Sequence, residues 1–152
     1  MINNKNIILD HMTIDNNSDR ACFKNNPKFR EFTNGYRYTS APNTVECMGH
    51  SFIAEVCYRD TSIDMIELVP VIHGVTSPNY PDEDYQALKW EYCKKILENH
   101  YGSEGILQTR SYGEFFGYRF PNYTIATAKI TGGQAQYTGG DIIITFRSEI
   151  RR

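Results

Sequence analysis

The side chains best suited to chemistry lie around Cys47 and His50, which are separated by only two residues. A thiol and an imidazole are ligands that zinc accepts, and Cys22 and His73 would have to complete a tetrahedral site. Zinc sites usually draw their ligands from two close pairs, whereas the second pair here would consist of isolated residues. We therefore expect no metal site and no cofactor.

The same residues offer a second chemistry, in which a histidine activates a cysteine nucleophile. Such a hydrolase needs Cys47 or Cys57 within about 3 Å of His50 or His73, because the imidazole must take the thiol proton. The histidines are dispersed, and none stands in a His-Glu-x-x-His spacing. The glycine-bearing segment 131–140 lacks the Gly-Lys-Ser/Thr ending of a phosphate-binding loop. These patterns favour a protein that is not an enzyme.

Aromatic side chains are the other candidates for ligand binding, since the chain has 11 Tyr, 8 Phe and 1 Trp. Five of these rings lie close together in one segment: Tyr112, Phe115, Phe116, Tyr118 and Phe120. A strand over this segment places rings on both of its faces. Core packing is the simpler role, but exposed rings also anchor protein interfaces and stack on glycans or nucleobases.

Charge is distributed unevenly, although the net charge is only −2. Residues 20–38 contain five basic side chains and one acidic one, whereas residues 80–104 contain six acidic and three basic ones. A small negative total gives no drive toward nucleic acid. The acidic segment would instead suit a basic protein surface.

The acidic segment opens the clearest helix of the sequence, over residues 82–101. Its apolar residues recur at spacings of three and four and form one stripe: Tyr85, Leu88, Tyr92, Cys93, Ile96 and Leu97. Asp82, Glu83 and Asp84 lie at the positive end of the helix dipole, and Gly102 is well placed to end the helix. We expect Glu91 to pair with Lys95.

Predicted strands precede and follow this helix in the sequence. Period-two patterns predict a hairpin over residues 51–58 and 62–69, a strand at 115–120, and a closing hairpin whose arms are 122–130 and 141–146. A short strand at 6–9 and a short helix near 18–24 are predicted in an otherwise loop-rich N-terminal third, residues 1–50. The order predicts one α+β domain over residues 1–152, in which one antiparallel sheet of about five to six strands packs against one long amphipathic helix.

Two features of the sequence predict where in the cell the protein is located. No apolar run approaches the ~20 residues that span a bilayer, and the N-terminus lacks the apolar core of a secretory signal. We therefore expect a cytoplasmic protein that does not bind membranes, with its four cysteines reduced.

Residues 50–147, roughly, resemble the immunity proteins, which are small bacterial proteins encoded beside polymorphic or contact-dependent toxins. The resemblance rests on four stretches: the hairpin from Phe52 to Val69, the helix ending Tyr-Cys-Lys-Lys-Ile-Leu-Glu-Asn-His-Tyr-Gly102, the aromatic strand, and the last strand, Gly-Gly-Asp-Ile-Ile-Ile-Thr-Phe146. It implies a non-enzymatic inhibitor that binds one cognate toxin domain and blocks its active site, as a monomer or weak homodimer. The resemblance transfers no residue role by position.

Charge and aromaticity then select the candidate toxin-binding residues. The acidic candidates are Asp82, Glu83, Asp84 and Glu91, and the aromatic candidates, provided that they are exposed, are Trp90, Tyr112 and Tyr118. The alternative function is a small-molecule or glycan-binding module that uses an aromatic surface of the sheet. A deep pocket lined by rings would favour the module, whereas a flat acidic patch would favour the inhibitor.

Overall fold

The computed structural model describes residues 6–147 of the 152-residue chain. The elements in chain order are β1 (Ile7–Leu9), β2 (Met12–Ile14), α1 (Ala21–Lys24), β3 (Arg30–Phe32), β4 (Arg37–Thr39), β5 (Val45–Cys47), β6 (His50–Arg59), β7 (Ser62–Pro70), α2 (Glu83–Tyr101), β8 (Ile106–Arg110), β9 (Gly113–Arg119), β10 (Tyr123–Ile130) and β11 (Ile142–Phe146). The predicted hairpins, long helix and α+β class are therefore confirmed.

The main sheet has nine strands, and every pairing is antiparallel. Eight strands follow the order β3-β4-β6-β7-β11-β10-β9-β8, and β5 also pairs with β6. The expectation of five to six strands was therefore wrong. The missed strands β3, β4 and β5 have only three residues each, which is too short for a period-two pattern to be recognised. Strand β8 is exposed throughout and has no alternation between buried and exposed residues.

One face of the sheet holds the core. Alternate residues of the central strands are fully buried there: Ile66, Leu68, Ile125, Ile142 and Ile144. Their sequence neighbours, such as Glu67 and Ile143, are half-buried on the opposite face. The sheet thus has one covered face and one more open face, as antiparallel sheets commonly do.

Helix α2 begins and ends where its capping residues predict. Asp82 is the N-cap, and its carboxylate accepts a hydrogen bond from the Tyr85 N–H at 2.8 Å. Gly102 ends the helix with a φ of +98°. The predicted stripe needs correction, because Leu88 is 42% exposed while Gln86, Lys89 and Trp90 are buried. Glu91 lies 3.8 Å from Lys94 rather than pairing with Lys95.

The N-terminal half of α2 fills a gap beside β10. Strand β11 has five residues and starts opposite Thr127, whereas β10 continues to Ile130. The Gln86 side chain takes the vacant position, since its Oε1 accepts the Ile130 N–H at 2.7 Å and its Nε2 donates to the Ile130 carbonyl at 3.0 Å. These are the two hydrogen bonds that a paired strand residue would make.

The loop from β10 to β11 packs closely on the helix at this point. A Cβ atom added to Gly140 would lie 2.7 Å from the Lys89 Cβ, and Gly140 has a φ of +104°. A Cβ on Gly139 would lie 2.7 Å from the Gln86 Oε1, which accepts the Gly139 N–H at 2.9 Å. The paired glycines therefore provide both turn conformation and room for the helix.

The C-terminal end of α2 packs on an aromatic cluster, which we define as Tyr101, Phe116, Tyr118, Phe120 and Tyr123. None of these side chains is more than 7% exposed. The ring centroid of Tyr101 lies 5.1 Å from those of Tyr118 and Phe120, and its hydroxyl is 3.0 Å from the Tyr123 hydroxyl.

No helix within residues 6–147 has the length and apolar character needed to cross a membrane.

Candidate protein-binding surface

The solvent side of α2 forms an acidic ridge, which we define as Asp84, Glu91 and Glu98. A spacing of seven residues is close to two turns, so the three side chains lie along one side of the helix. All three residues are exposed, and the Glu91 side chain is 62% exposed. Leu88, which is 42% exposed, lies between Asp84 and Glu91. The ridge therefore combines negative charge with one accessible apolar side chain.

Two lysines lie beside the C-terminal half of the ridge, and the exposed Lys95 is four residues from Glu91 and three from Glu98. Lys94 contacts Glu91 at 3.8 Å and also lies over the Trp90 ring, 4.9 Å from its centroid. Within residues 6–147, Asp84 and Glu98 form no ion pair. Their charge is consequently available to a basic partner, although exposed pairs contribute more to association rate than to affinity.

The three acids at the start of α2 have different environments. Asp82 is half-buried and caps the helix, so its carboxylate already has a partner. Glu83 and Asp84 are exposed in the first turn, where the helix dipole stabilises negative charge. Glu83 and Asp84 therefore belong to the accessible surface, whereas Asp82 mainly determines where the helix begins.

Two aromatic candidates are buried. Trp90 is 2% exposed and Tyr118 is 5% exposed, so the condition that they be accessible is not met. The Tyr118 hydroxyl donates to the Gly102 carbonyl, and its ring lies 5.6 Å from that of Phe116. Both side chains hold the helix on the sheet and do not present a binding surface.

Tyr112 is accessible and lies at the same end of the sheet as the start of α2. It is 49% exposed in the turn between β8 and β9. Its carbonyl accepts hydrogen bonds from the N–H groups of Thr131 and Gly132, which directly follow the Ile130 residue that Gln86 binds. These backbone hydrogen bonds link the turn that carries Tyr112 to the segment that the N-terminal half of α2 contacts through Gln86.

The cavities give limited support to a ring-lined binding site. The rings of the aromatic cluster pack mainly on one another, and burial raises the pKa of the Tyr101 hydroxyl, as does its hydrogen bond to Tyr123. A groove of about 280 Å³ near β8, β9 and β10 has Phe115, Gly117 and Ala126 among its lining residues. A larger cavity of about 580 Å³ is lined largely by polar residues of the β6–β7 hairpin end and of the loop at residues 16–17.

The Cys47 and His50 pair is part of a tight turn. The two residues are opposite each other in the β5–β6 hairpin, and the intervening Met48 and Gly49 both have positive φ. Burial raises the pKa of the Cys47 thiol to about 12, which opposes the thiolate form that a nucleophile requires. The His50 Nδ1 lies 3.4 Å from the Tyr92 hydroxyl. Among residues 6–147, no group of three His, Cys, Asp or Glu side chains is arranged to hold a metal ion.

Another polar cluster joins the sheet to the helix, and we define it as Glu67, Asp141 and Lys89. The Lys89 Nζ lies 2.8 Å from an Asp141 carboxylate oxygen, and both side chains are at most 12% exposed. The hydrogen bond to Asp141, together with burial, raises the pKa of Glu67 to about 8. Glu55, the cross-strand neighbour of Glu67, adds negative charge that acts in the same direction.

The structural roles of Gln86, Lys89 and Glu67 were not predicted from the sequence. A usable indication was present, since Gln86 lies at spacings of four and seven from Trp90 and Cys93, on the face that proves to be buried. A polar side chain on a buried helix face needs a hydrogen-bond partner.

Comparison of the chain with protein-family models, curated proteins and solved structures gave no match.

Proposed function

We propose that this protein is a non-enzymatic immunity protein that binds and neutralises a cognate bacterial toxin domain. The observation that carries the proposal is the acidic ridge, whose carboxylates are exposed on a well-capped helix. A helix held in place by buried contacts presents these charges without a large ordering cost on binding. Leu88 and Tyr112 supply the accessible apolar and aromatic surface that a protein interface also needs.

The partner that fits this surface is a basic protein domain. Negative ridges attract basic surfaces during diffusional encounter and raise the association rate at low salt. A toxin whose active site contacts an anionic substrate would have such a surface. Inhibition would follow from covering that site, without any chemistry by this chain.

The neighbouring reading frame provides the first test. If it encodes a secreted protein with a variable C-terminal domain, this domain and the present chain are expressed together, with a tag on the domain alone. We expect the two proteins to purify as one complex and the chain to restore growth of cells that produce the domain. A domain that is toxic but neither binds the chain nor is neutralised by it would contradict the proposal.

The groove near Phe115 supports a second candidate, a small-molecule or glycan-binding module. Its lining includes the rings of Phe115 and Phe116, together with the exposed Ile106. Soluble oligosaccharides added to isotope-labelled protein would shift the amide signals of Phe115 and Gly117 if this function holds. Shifts confined to the acidic ridge on addition of the toxin domain would favour the inhibitor.

A further inference from the structure

Strand β8 is an unprotected edge of the main sheet. It pairs with β9 on one side only, and all five of its residues are exposed. Ile106 is 60% exposed and Leu107 is 56% exposed, although they point to opposite faces of the sheet. Edge strands usually carry a proline, a bulge or several charges that prevent pairing with other chains. Strand β8 has no proline, and its one charged residue, Arg110, is at its end.

The opposite edge of the sheet is protected. Strand β3 is only three residues long, and it includes both Arg30 and Glu31. Helix α1 also contacts β3. The two edges therefore differ in length, charge and cover: β3 has one exposed apolar residue, Phe32, together with two charged residues and a helix contact, whereas β8 has a longer free backbone with two exposed aliphatic side chains.

The strand registers identify which backbone groups of β8 are free. A two-residue turn links Arg110 to Gly113, and the closing pair of such a hairpin is hydrogen-bonded. Alternation along the ladder then directs the N–H and C=O groups of Leu107 and Thr109 away from β9. The hydrogen bond from Gly140 N–H to the Ala128 carbonyl, two strands away, agrees with the same alternation.

We propose that β8 pairs with β8 of a second copy of this chain, in antiparallel orientation and centred on Gln108. In this register, Leu107 of each copy lies opposite Thr109 of the other copy, so that all the free backbone groups of both residues can pair. It also places Ile106 opposite Arg110, whose aliphatic part covers the apolar side chain. The central pair is formed by two neutral Gln108 amides, so no two like charges lie directly opposite each other.

The self-complementary sequence is the reason for choosing a second copy over another partner. A twofold interface must match one surface with itself, and the short strand meets this condition over all five of its residues. The result is one continuous sheet through two molecules, with both acidic ridges left outside the contact. The interface is small, so the dimer dissociates on dilution.

Sedimentation velocity of the full chain over a concentration series gives the first test, in which a mass near twice 17.5 kDa is expected at high concentration. Amide hydrogen exchange in the same series locates the contact. We expect the Leu107 and Thr109 amides to gain protection as concentration rises, while the Gln108 amide, which already bonds to β9, changes little. A chain that is monomeric throughout, or a dimer without this protection, would overturn the proposal.

The substitution Thr109→Pro removes one outward N–H while leaving the bonds to β9 in place. Because the change occurs twice per dimer, the dissociation constant of the dimer should rise by at least about tenfold. Leu107→Lys is a second variant that keeps the backbone unchanged and adds charge to the contact. Leu88→Lys is the matched control, since it adds the same charge at an exposed leucine outside the edge. Equal effects of the two lysine variants would contradict pairing through β8.

Discussion

The inward and outward faces of α2 differ in whether their polar side chains have fixed partners. On the inward face, the Gln86 amide completes the hydrogen bonding of β10 and Lys89 pairs with Asp141 at 2.8 Å. On the outward face, Asp84 and Glu98 extend into solvent. Polar residues of one helix can thus either specify the fold or remain available to a partner, and burial decides between these roles.

Among substitutions on the two faces, the one at Trp90 should have the largest effect on the free energy of unfolding. Its replacement by alanine removes a side chain that is 2% exposed and should lower the free energy of unfolding by about 3–5 kcal/mol. Leu88→Ala, two residues away on the outward face, should change it by less than about 1 kcal/mol. Urea unfolding of both variants measures the difference. Similar losses would mean that the two faces are not distinct in packing.

Gly140→Ala tests the close contact between the inward face and the β10–β11 loop. The added Cβ would lie 2.7 Å from the Lys89 Cβ at a φ of +104°, so we expect a loss of about 2–4 kcal/mol. Gly133→Ala is the control, because Gly133 also has positive φ but no neighbouring atom within 4 Å. Its loss should be limited to backbone strain, about 1–2 kcal/mol. Equal losses would show that the helix does not constrain Gly140.

The cluster of Glu67, Asp141 and Lys89 makes stability depend on pH. The pKa of Glu67 is raised from 4.5 to about 8, so the folded protein binds more protons than the unfolded chain between these values. This contribution is present below pH 4.5 and is lost as the pH rises through about 8. Glu67→Gln imitates the protonated carboxyl group and should remove that dependence, raising stability at pH 8 by at least about 1 kcal/mol. Unfolding curves at pH 5 and pH 8 test this prediction, and an unchanged pH slope would contradict it.

The smallest effect on stability is expected from the acidic ridge. Glu91→Gln and Glu98→Gln should each alter the free energy of unfolding by no more than about 0.5 kcal/mol, since the side chains are exposed. Thermal unfolding at low and high salt measures these values. A large loss from either variant would assign a structural role to the ridge.

The parts of the fold that sequence predicted are those where local patterns act alone. The boundaries of α2 followed from Asp82 and Gly102, and the two main hairpins followed from alternation and turn residues. The edge strands β3 and β8 did not, because their residues are exposed on both faces and carry no alternation. Their positions depend on pairing with β4 and β9, which is a tertiary property.

Burial of the candidate site residues was equally a tertiary property. Trp90 and Leu88 are both apolar and only two residues apart, yet one is buried and the other exposed. Gln86 lies on the buried face with Trp90 and bonds to β10, and a stripe defined by apolar residues alone omits this polar side chain. Glu83, Asp84 and Glu91 could be placed on the surface from their charge, and they are exposed there.

Association kinetics with the toxin domain encoded by the neighbouring reading frame test the proposed function most directly. The chain is compared with a triple variant, Asp84→Asn, Glu91→Gln and Glu98→Gln, whose fold is first verified by its unfolding curve. We expect the variant to bind at least about tenfold more weakly, mainly through slower association, and to lose most of the salt dependence. Tight binding by both proteins with equal rates would contradict a role for the acidic ridge, and no binding by the unaltered chain would contradict the proposed function itself.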